Sequence, residues 1–173
     1  MTWEFGILDF IREHLSGVFL DKVMVFITRC GDKGYIWIAA ALIMCMTKKY
    51  RKCGITLMIG LLAGALIGNL LLKNMICRER PCWIREIDGL LIAVPKDYSF
   101  PSGHTLSSFL AATVIVFRNK RLGIAAFIAA ALIAFSRMYL YVHFPTDVIG
   151  GAVIGSAVGI AAVLVMEKYF FRI

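Results

Sequence analysis

Residues 48–73 read KKYRKCGITLMIGLLAGALIGNLLLK, and this stretch decides the fold. Lys48, Lys49, Arg51 and Lys52 come first, Cys53 to Leu72 then carries no charged side chain, and Lys73 closes the run. A helix needs roughly 20 apolar residues to cross a bilayer core, and Cys53 to Leu72 supplies that length. Gly60, Gly64 and Gly68 recur every fourth position, so they share one helix face and let a neighbouring helix approach closely. The stretch reads as a membrane span with a basic end and a small-residue face.

The same pattern repeats on both sides. Gly34 to Thr47 is a shorter apolar run whose flanking Lys33 and Lys48 would snorkel to the interface. Thr105 to Phe117, Leu122 to about Ser136, and Val148 to Met166 follow, the last with its own ladder of Gly151, Gly155 and Gly159. Tyr139 and Tyr141 are expected as interfacial aromatics. Residues 3–15 form an amphipathic pattern, with Trp3, Ile7, Phe10, Ile11 and Leu15 on one face and Asp9, Arg12, Glu13 and Ser16 on the other. This predicts a helix lying in the interface. Phe19 to Thr28 is also helical in pattern, but Asp21 and Lys22 leave too short an uncharged run to span alone. The expected fold is all-α: one domain over residues 1–173, a polytopic bundle of about five or six transmembrane helices with an amphipathic segment over residues 1–30.

Composition agrees. The chain is 60% hydrophobic, with a mean hydropathy of +0.80, above the apolar share of soluble domains. Its net charge of +8 sits in short clusters at the ends of apolar runs, the distribution of membrane topology and not of a nucleic-acid face. Glu4, Asp9, Arg12 and Glu13 near the start, with no small-residue cleavage site, argue against a signal peptide. The basic clusters at 48–52 and 118–121, with Lys168 and Arg172, fall on one side if there are five spans, and that side is expected in the cytoplasm. The loop 73–101 and the turn 143–147 are then expected outside. That loop is more basic than topology asks for, carrying Lys73, Arg78, Arg80, Arg85 and Lys96, and a break of a local rule is where function is sought. The five cysteines lack metal-ligand spacing. Cys77 and Cys82 share the loop, where a disulfide and two free thiols are both compatible with the sequence.

Three blocks meet on that expected outer face. Lys73 lies seven residues before Arg80-Pro81. Pro101-Ser102-Gly103-His104 stands where a polar loop becomes an apolar helix, with Ser102 a suitable N-cap. Ser136-Arg137 is followed by His143 and then Asp147. Taken singly each has a bland explanation: an interfacial anchor for Lys73, a loop cation for Arg80, a capped helix start for the tetrad, a hydrogen-bonded turn for His143 and Asp147. Arg137 is harder to dismiss, because a charge near the end of an apolar span is costly. Together they supply three fixed cations, two histidines, one carboxylate and one helix N-terminus, which suits a tetrahedral dianion and proton transfer. Asp32-Lys33, beside Gly31 and Gly34, reads as a solvated turn, with the rim of the site as the alternative, and His14 as an exposed interfacial residue.

In that order and at that spacing, the three blocks resemble the signature of the type 2 phosphatidic acid phosphatase superfamily, over about residues 73–147 and with no departure at a signature position. The resemblance implies a metal-independent phosphatase without a cofactor, acting on a lipid phosphate. It implies that His143 attacks phosphorus, that Asp147 accepts from the other ring nitrogen, and that His104 protonates the leaving oxygen and then activates water. Lys73, Arg80, Ser102, Gly103 and Arg137 would hold the phosphoryl oxygens. Undecaprenyl pyrophosphate is the expected substrate, which links the chain to recycling of a cell-wall carrier. Phosphatidylglycerol phosphate or phosphatidic acid is the alternative. The expected partners are that lipid and the bilayer of the cell membrane, with the site on the extracytoplasmic face. A competing class, a non-catalytic protein that binds or carries an anionic lipid, would use the same cations but would have no need of two histidines and an aspartate.

Overall fold

A computed structural model describes residues 2–170, all of whose regular elements are helical. Arg172, one of the expected cytoplasmic basic residues, lies outside the described residues. In chain order the longer helices are α1 (Thr2–Leu15), α2 (Val18–Cys30), α3 (Tyr35–Met46) and α4 (Arg51–Ala65). A π-helical segment, Leu66–Leu72, carries α4 into the short α5 (Lys73–Ile76), and α6 (Pro81–Ile84) is another single turn. The last three are α7 (Gly103–Arg118), α8 (Lys120–Tyr139) and α9 (Pro145–Tyr169). By length and composition, Arg51–Ile84, Lys120–Tyr139 and Pro145–Tyr169 suit membrane crossing.

Helix α7 is the centre. Leu106, Leu110, Ala111, Ala112, Val114 and Ile115 are all buried on it, and a helix buried on all sides needs neighbours all round. Helices α4, α8 and α9 supply them. Both glycine ladders face α7. A Cβ on Gly155 would stand 2.3 Å from the Leu106 carbonyl oxygen, and one on Gly159 would stand 3.0 Å from that of Leu110. From the other side, a Cβ on Gly68 would meet Leu106 at 2.6 Å, and one on Gly64 would meet Leu106 and Leu110 at 2.9 Å. The ladders expected from sequence therefore serve one helix between them. Outward-facing Ile124, Ile128 and Leu132 on α8, and Ile149 and Val153 on α9, give an apolar exterior suited to lipid.

The two basic clusters meet at one end of the bundle. Arg118 donates to the Lys49 carbonyl oxygen at 2.9 Å, and Asn119 to the Tyr50 hydroxyl at 3.1 Å. The signature residues lie at the opposite end.

The N-terminal region departs from its expected arrangement. Helix α1 forms as the periodicity predicts, but the face it packs inward is Glu4, Phe5, Leu8 and Ile11; Trp3, Ile7, Phe10 and Leu15 point outward. Tyr139 and Tyr141 are buried beneath it and do not form an exposed aromatic belt. Each has found an acid on the N-terminal helices, Tyr139 donating to Asp21 and Tyr141 to Asp9, both at 2.6 Å. A buried phenol needs a partner for its hydroxyl, and the acids that broke the apolar pattern of α1 and α2 serve that purpose. Cys77 and Cys82 are free thiols.

Candidate active site

The end of the bundle opposite the basic clusters holds a cavity of about 890 Å³, lined by Lys73, Arg80, Gly103, His104, Arg137 and His143. Five separate pieces of chain deliver them. The π-helical segment Leu66–Leu72 precedes Lys73 and adjusts the turn of α4 on which it emerges; such segments often occur at functional sites. Arg80 precedes α6, His104 stands on the first turn of α7, Arg137 on the last turn of α8, and His143 in the turn before α9. One wall is apolar, with Met58, Leu61, Leu62 and Ala65 of α4 lining it.

His143 is 1% exposed. Its Nε2 lies 3.0 Å from Arg80 Nη1. A guanidinium only donates, so Nε2 is the acceptor and the proton resides on Nδ1. That tautomer is assigned from its partners. Nδ1 is 3.6 Å from Asp147 Oδ2, too long for a direct hydrogen bond, and 3.4 Å from Ser99 Oγ. Ser99 donates to Asp147 Oδ2 at 2.5 Å, so its hydroxyl stands between the two. Asp147 is fully buried near the start of α9, where Pro145 opens the helix and the Phe144 amide donates to Oδ2 at 2.8 Å. Burial, reinforced by the charges of Arg80, Arg137 and Lys73, holds the His143 pKa well below 6.5.

Asp97 sits on the cations. Its carboxylate pairs with Lys73 Nζ and accepts from Arg80 Nη2 at 2.9 Å. Partial burial alone would raise its pKa, but Lys73 and then Arg80 outweigh that and pull it down to about 2. Arg80 also donates to the carbonyl oxygens of Asp97 and Val142, at 2.6 and 2.7 Å. These bonds leave the guanidinium little freedom. Arg137 is buried, donates through Nη1 to Thr28 Oγ1 at 2.5 Å, and its Nε is buried with no partner among the described residues. A buried guanidinium N–H without a partner is costly, and Arg137 lines the cavity beside it.

The tetrad differs in detail from its expected form. Ser102 occupies the N-cap position of α7, but its side chain makes no capping bond; Oγ accepts from Thr105 Oγ1 at 3.0 Å. Its backbone N–H is committed to the Asp147 carbonyl oxygen at 3.1 Å, which ties the start of α7 to the start of α9. Ser102 lies behind the cavity wall formed by Gly103 and His104. A Cβ on Gly103 would stand 2.9 Å from Asn69 Oδ1 of the π segment, a contact that a turn of the Asn69 side chain relieves. His104 Nε2 is 2.9 Å from Asp32 Oδ1. Asp32 and Lys33, expected in a solvated turn, in fact line the cavity from a 3-10 turn between α2 and α3.

Residue chemistry alone did not point to Asp97, Ser99, Arg78 or Glu4. Arg78 was visible as part of the basic excess of the loop. Glu4 had a local signal, because it shares the i, i+4, i+7 stripe of Leu8 and Ile11. Ser99 and Asp97 lie in irregular chain, where no periodicity marks an inward side chain.

Fold and site define a class: a multi-pass helical membrane protein with a cationic, histidine-bearing pocket at one end of its bundle. The profile of the PAP2 superfamily matches residues 54–171, and the chain belongs to that family. Its curated relatives in this family are named phosphatases, and this protein is a hydrolase acting on phosphate esters. An undecaprenyl-diphosphatase of Sulfolobus acidocaldarius is 36% identical over 145 residues, 83% of this chain and 69% of that protein. The crystal structure of a transmembrane PAP2 type phosphatidylglycerolphosphate phosphatase from Bacillus subtilis superposes with a TM-score of 0.79 at 27% identity, covering 99% of this chain and 88% of the other. That of Aquifex aeolicus LpxE superposes with a TM-score of 0.81 at 27% identity, covering 92% and 94%.

Proposed function

We propose that the protein hydrolyses a membrane lipid phosphate, with undecaprenyl pyrophosphate as substrate, through a phosphohistidine on His143. The observation that carries this reading is the two-sided cavity: cations and histidines at one end, the apolar wall of α4 along the other. A phosphate head group fits the first and a lipid chain the second. The similarity to an undecaprenyl-diphosphatase supports the choice of lipid. The similarity to a phosphatidylglycerolphosphate phosphatase makes that lipid the competing substrate.

In this mechanism the incoming phosphoryl group displaces the Asp97 carboxylate from Lys73 and Arg80, and Arg137 Nε supplies a further donor. The N-terminal amides of α7 at Gly103 and His104 add uncharged donors, with Ser102 holding that turn in place. Released from Asp97, Arg80 turns its Nη1–H from His143 Nε2 to a phosphoryl oxygen, and the freed Nε2 lone pair attacks phosphorus in line. The N–P bond forms as the bond from the terminal phosphorus to the bridging oxygen breaks, His104 gives its proton to that oxygen, and the lipid monophosphate leaves. Asp147 and Ser99 hold Nδ1–H and stabilise the cationic ring. Water then attacks phosphorus, His104 accepts its proton, the N–P bond breaks, and inorganic phosphate leaves. Lys73, Arg80 and Arg137 carry the electrostatic load that a metal ion bears in other phosphatases.

The test is phosphate release by purified protein in detergent from both lipids, in the presence of a chelator. The wild type turns over undecaprenyl pyrophosphate faster and the chelator leaves its rate unchanged. His143→Ala loses turnover and no longer forms an acid-labile phosphoenzyme. Wild-type turnover by His143→Ala would remove the nucleophile assignment.

A further inference from the structure

Behind the dyad, on the side away from the cavity, lies a second polar cluster that the mechanism above does not use. Glu4 of α1 is 4% exposed. Its Oε2 accepts from Arg78 Nη2 at 2.7 Å and its Oε1 from Thr146 Oγ1 at 2.6 Å. Arg78 Nη1 reaches Asp147 Oδ1 at 2.6 Å and Thr146 Oγ1 at 2.6 Å. The guanidinium also lies 4.3 Å from the centre of the Phe144 ring, and Phe5 packs edge-on against that ring at 5.2 Å. Phe5 and the fully buried Leu8 seat α1 against the α8–α9 turn, which fixes where Glu4 can be.

The charges matter as much as the geometry. Asp147 by itself offers His143 one negative charge. Arg78, bonded to the other oxygen of the same carboxylate, cancels it. A neutralised partner would do little for an imidazole that becomes cationic on attacking phosphorus. Glu4 restores the balance: with Arg78 between two carboxylates, the trio behind His143 again carries a net charge of −1. Arg78 fixes the rotamer of Asp147, and Glu4 returns the charge that this fixing removes.

We propose that Glu4 is a positioning residue of the phosphatase, acting through Arg78 on the Asp147–His143 dyad, and that α1 is thereby part of the catalytic apparatus. This rests on His143 being the nucleophile. Loss of a partner behind a functional histidine costs on the order of ten- to a hundredfold in activity. Glu4→Gln in the full chain should therefore lower kcat for the better lipid substrate by that order and leave KM nearly unchanged, because the phosphoryl-binding cations are untouched. The decisive variant is Glu4→Gln/Arg78→Gln. With both charges gone, Asp147 again presents its full charge to His143, and kcat should recover toward wild type. A merely structural anchor predicts the reverse, a double variant losing the product of the two single losses. A kcat for Glu4→Gln equal to wild type, or a double variant that runs as a single species on gel filtration yet is slower than Glu4→Gln, overturns the proposal. If Glu4→Gln does not fold, the folded double variant decides alone, near-wild-type kcat supporting the proposal and a kcat as low as that of His143→Ala overturning it. His143→Ala in the same assay separates the two readings. If it keeps turnover the nucleophile is wrong; if it is dead while Glu4→Gln is unaffected, only the role of Glu4 falls.

Discussion

His143 Nε2 faces a donor and Nδ1 faces an acidic network, so the ring is held neutral with its lone pair toward the cations. Burial and the neighbouring positive charges both disfavour the imidazolium. His143, the proposed nucleophile, therefore stays unprotonated well below pH 6.5, and the acid limb of kcat/KM against pH should not sit at the ordinary histidine value but clearly below it. Stability follows the opposite course. Below about pH 6.5 the unfolded chain takes up a proton that the folded His143 refuses, so the resting protein should lose thermal stability as pH falls through that value. Asp97 adds a second loss at lower pH. Its folded pKa of about 2 against 3.8 means its stabilisation is complete above the higher value and gone below the lower. Thermal unfolding in detergent between pH 8 and 3, beside a pH–rate profile, separates the two behaviours. An acid limb at 6.5 would show that the cations do not act on His143.

At the scale of elements, α7 is gripped between two glycine faces. The Gly155 face is the tighter, because what a side chain would meet there is the Leu106 carbonyl oxygen on the backbone of α7. Backbone cannot rotate aside as a side chain can. Gly155→Val should cost about 1–3 kcal/mol as overpacking, with a lowered Tm in detergent. It should also reduce activity, since α7 carries Gly103 and His104 at its far end. Gly6→Ala is the control: nothing lies within 4 Å of its Cβ, and alanine favours the helix, so Tm should stay level or rise. Equal Tm values for the two variants would mean that the α7–α9 approach is looser than the structure has it. The same elements show where periodicity misleads. The apolar stripe of α1 is real, yet the helix packs through Glu4, Phe5, Leu8 and Ile11. The deciding factors are a buried ion pair for Glu4 and a ring contact for Phe5, neither of which belongs to α1 alone.

For the molecule as a whole, the two ends of the bundle carry different chemistry. One gathers the clusters at 48–52 and 118–121; the other holds the cavity. The proposal of an extracytoplasmic site makes a direct prediction at Cys77, which is exposed beside Arg78. A membrane-impermeant maleimide applied to intact cells should label the protein, and Cys77→Ser should remove that labelling. Labelling only after the cells are opened would place the site on the cytoplasmic side and with it a different pool of substrate. Much of this organisation was legible in the chain: helices, glycine faces, basic ends and the cations and histidines that meet at the pocket. These are properties of local composition and spacing, and a bilayer makes them unusually readable, because apolar length and terminal charge are what it selects. Pairings across long sequence distances were not legible. Asp97 on Lys73 and Arg80, Asp32 on His104, and Glu4 on Arg78 join residues 17 to 74 positions apart. No repeat or spacing in the chain encodes such a match; a buried charge takes whichever opposite charge the packing of other elements brings within reach. The sequence determined that this is a helical membrane phosphatase and which cations and histidines meet in one pocket. Only the tertiary structure decided how Arg78 is held between Asp147 and Glu4, because that depends on where α1 comes to rest.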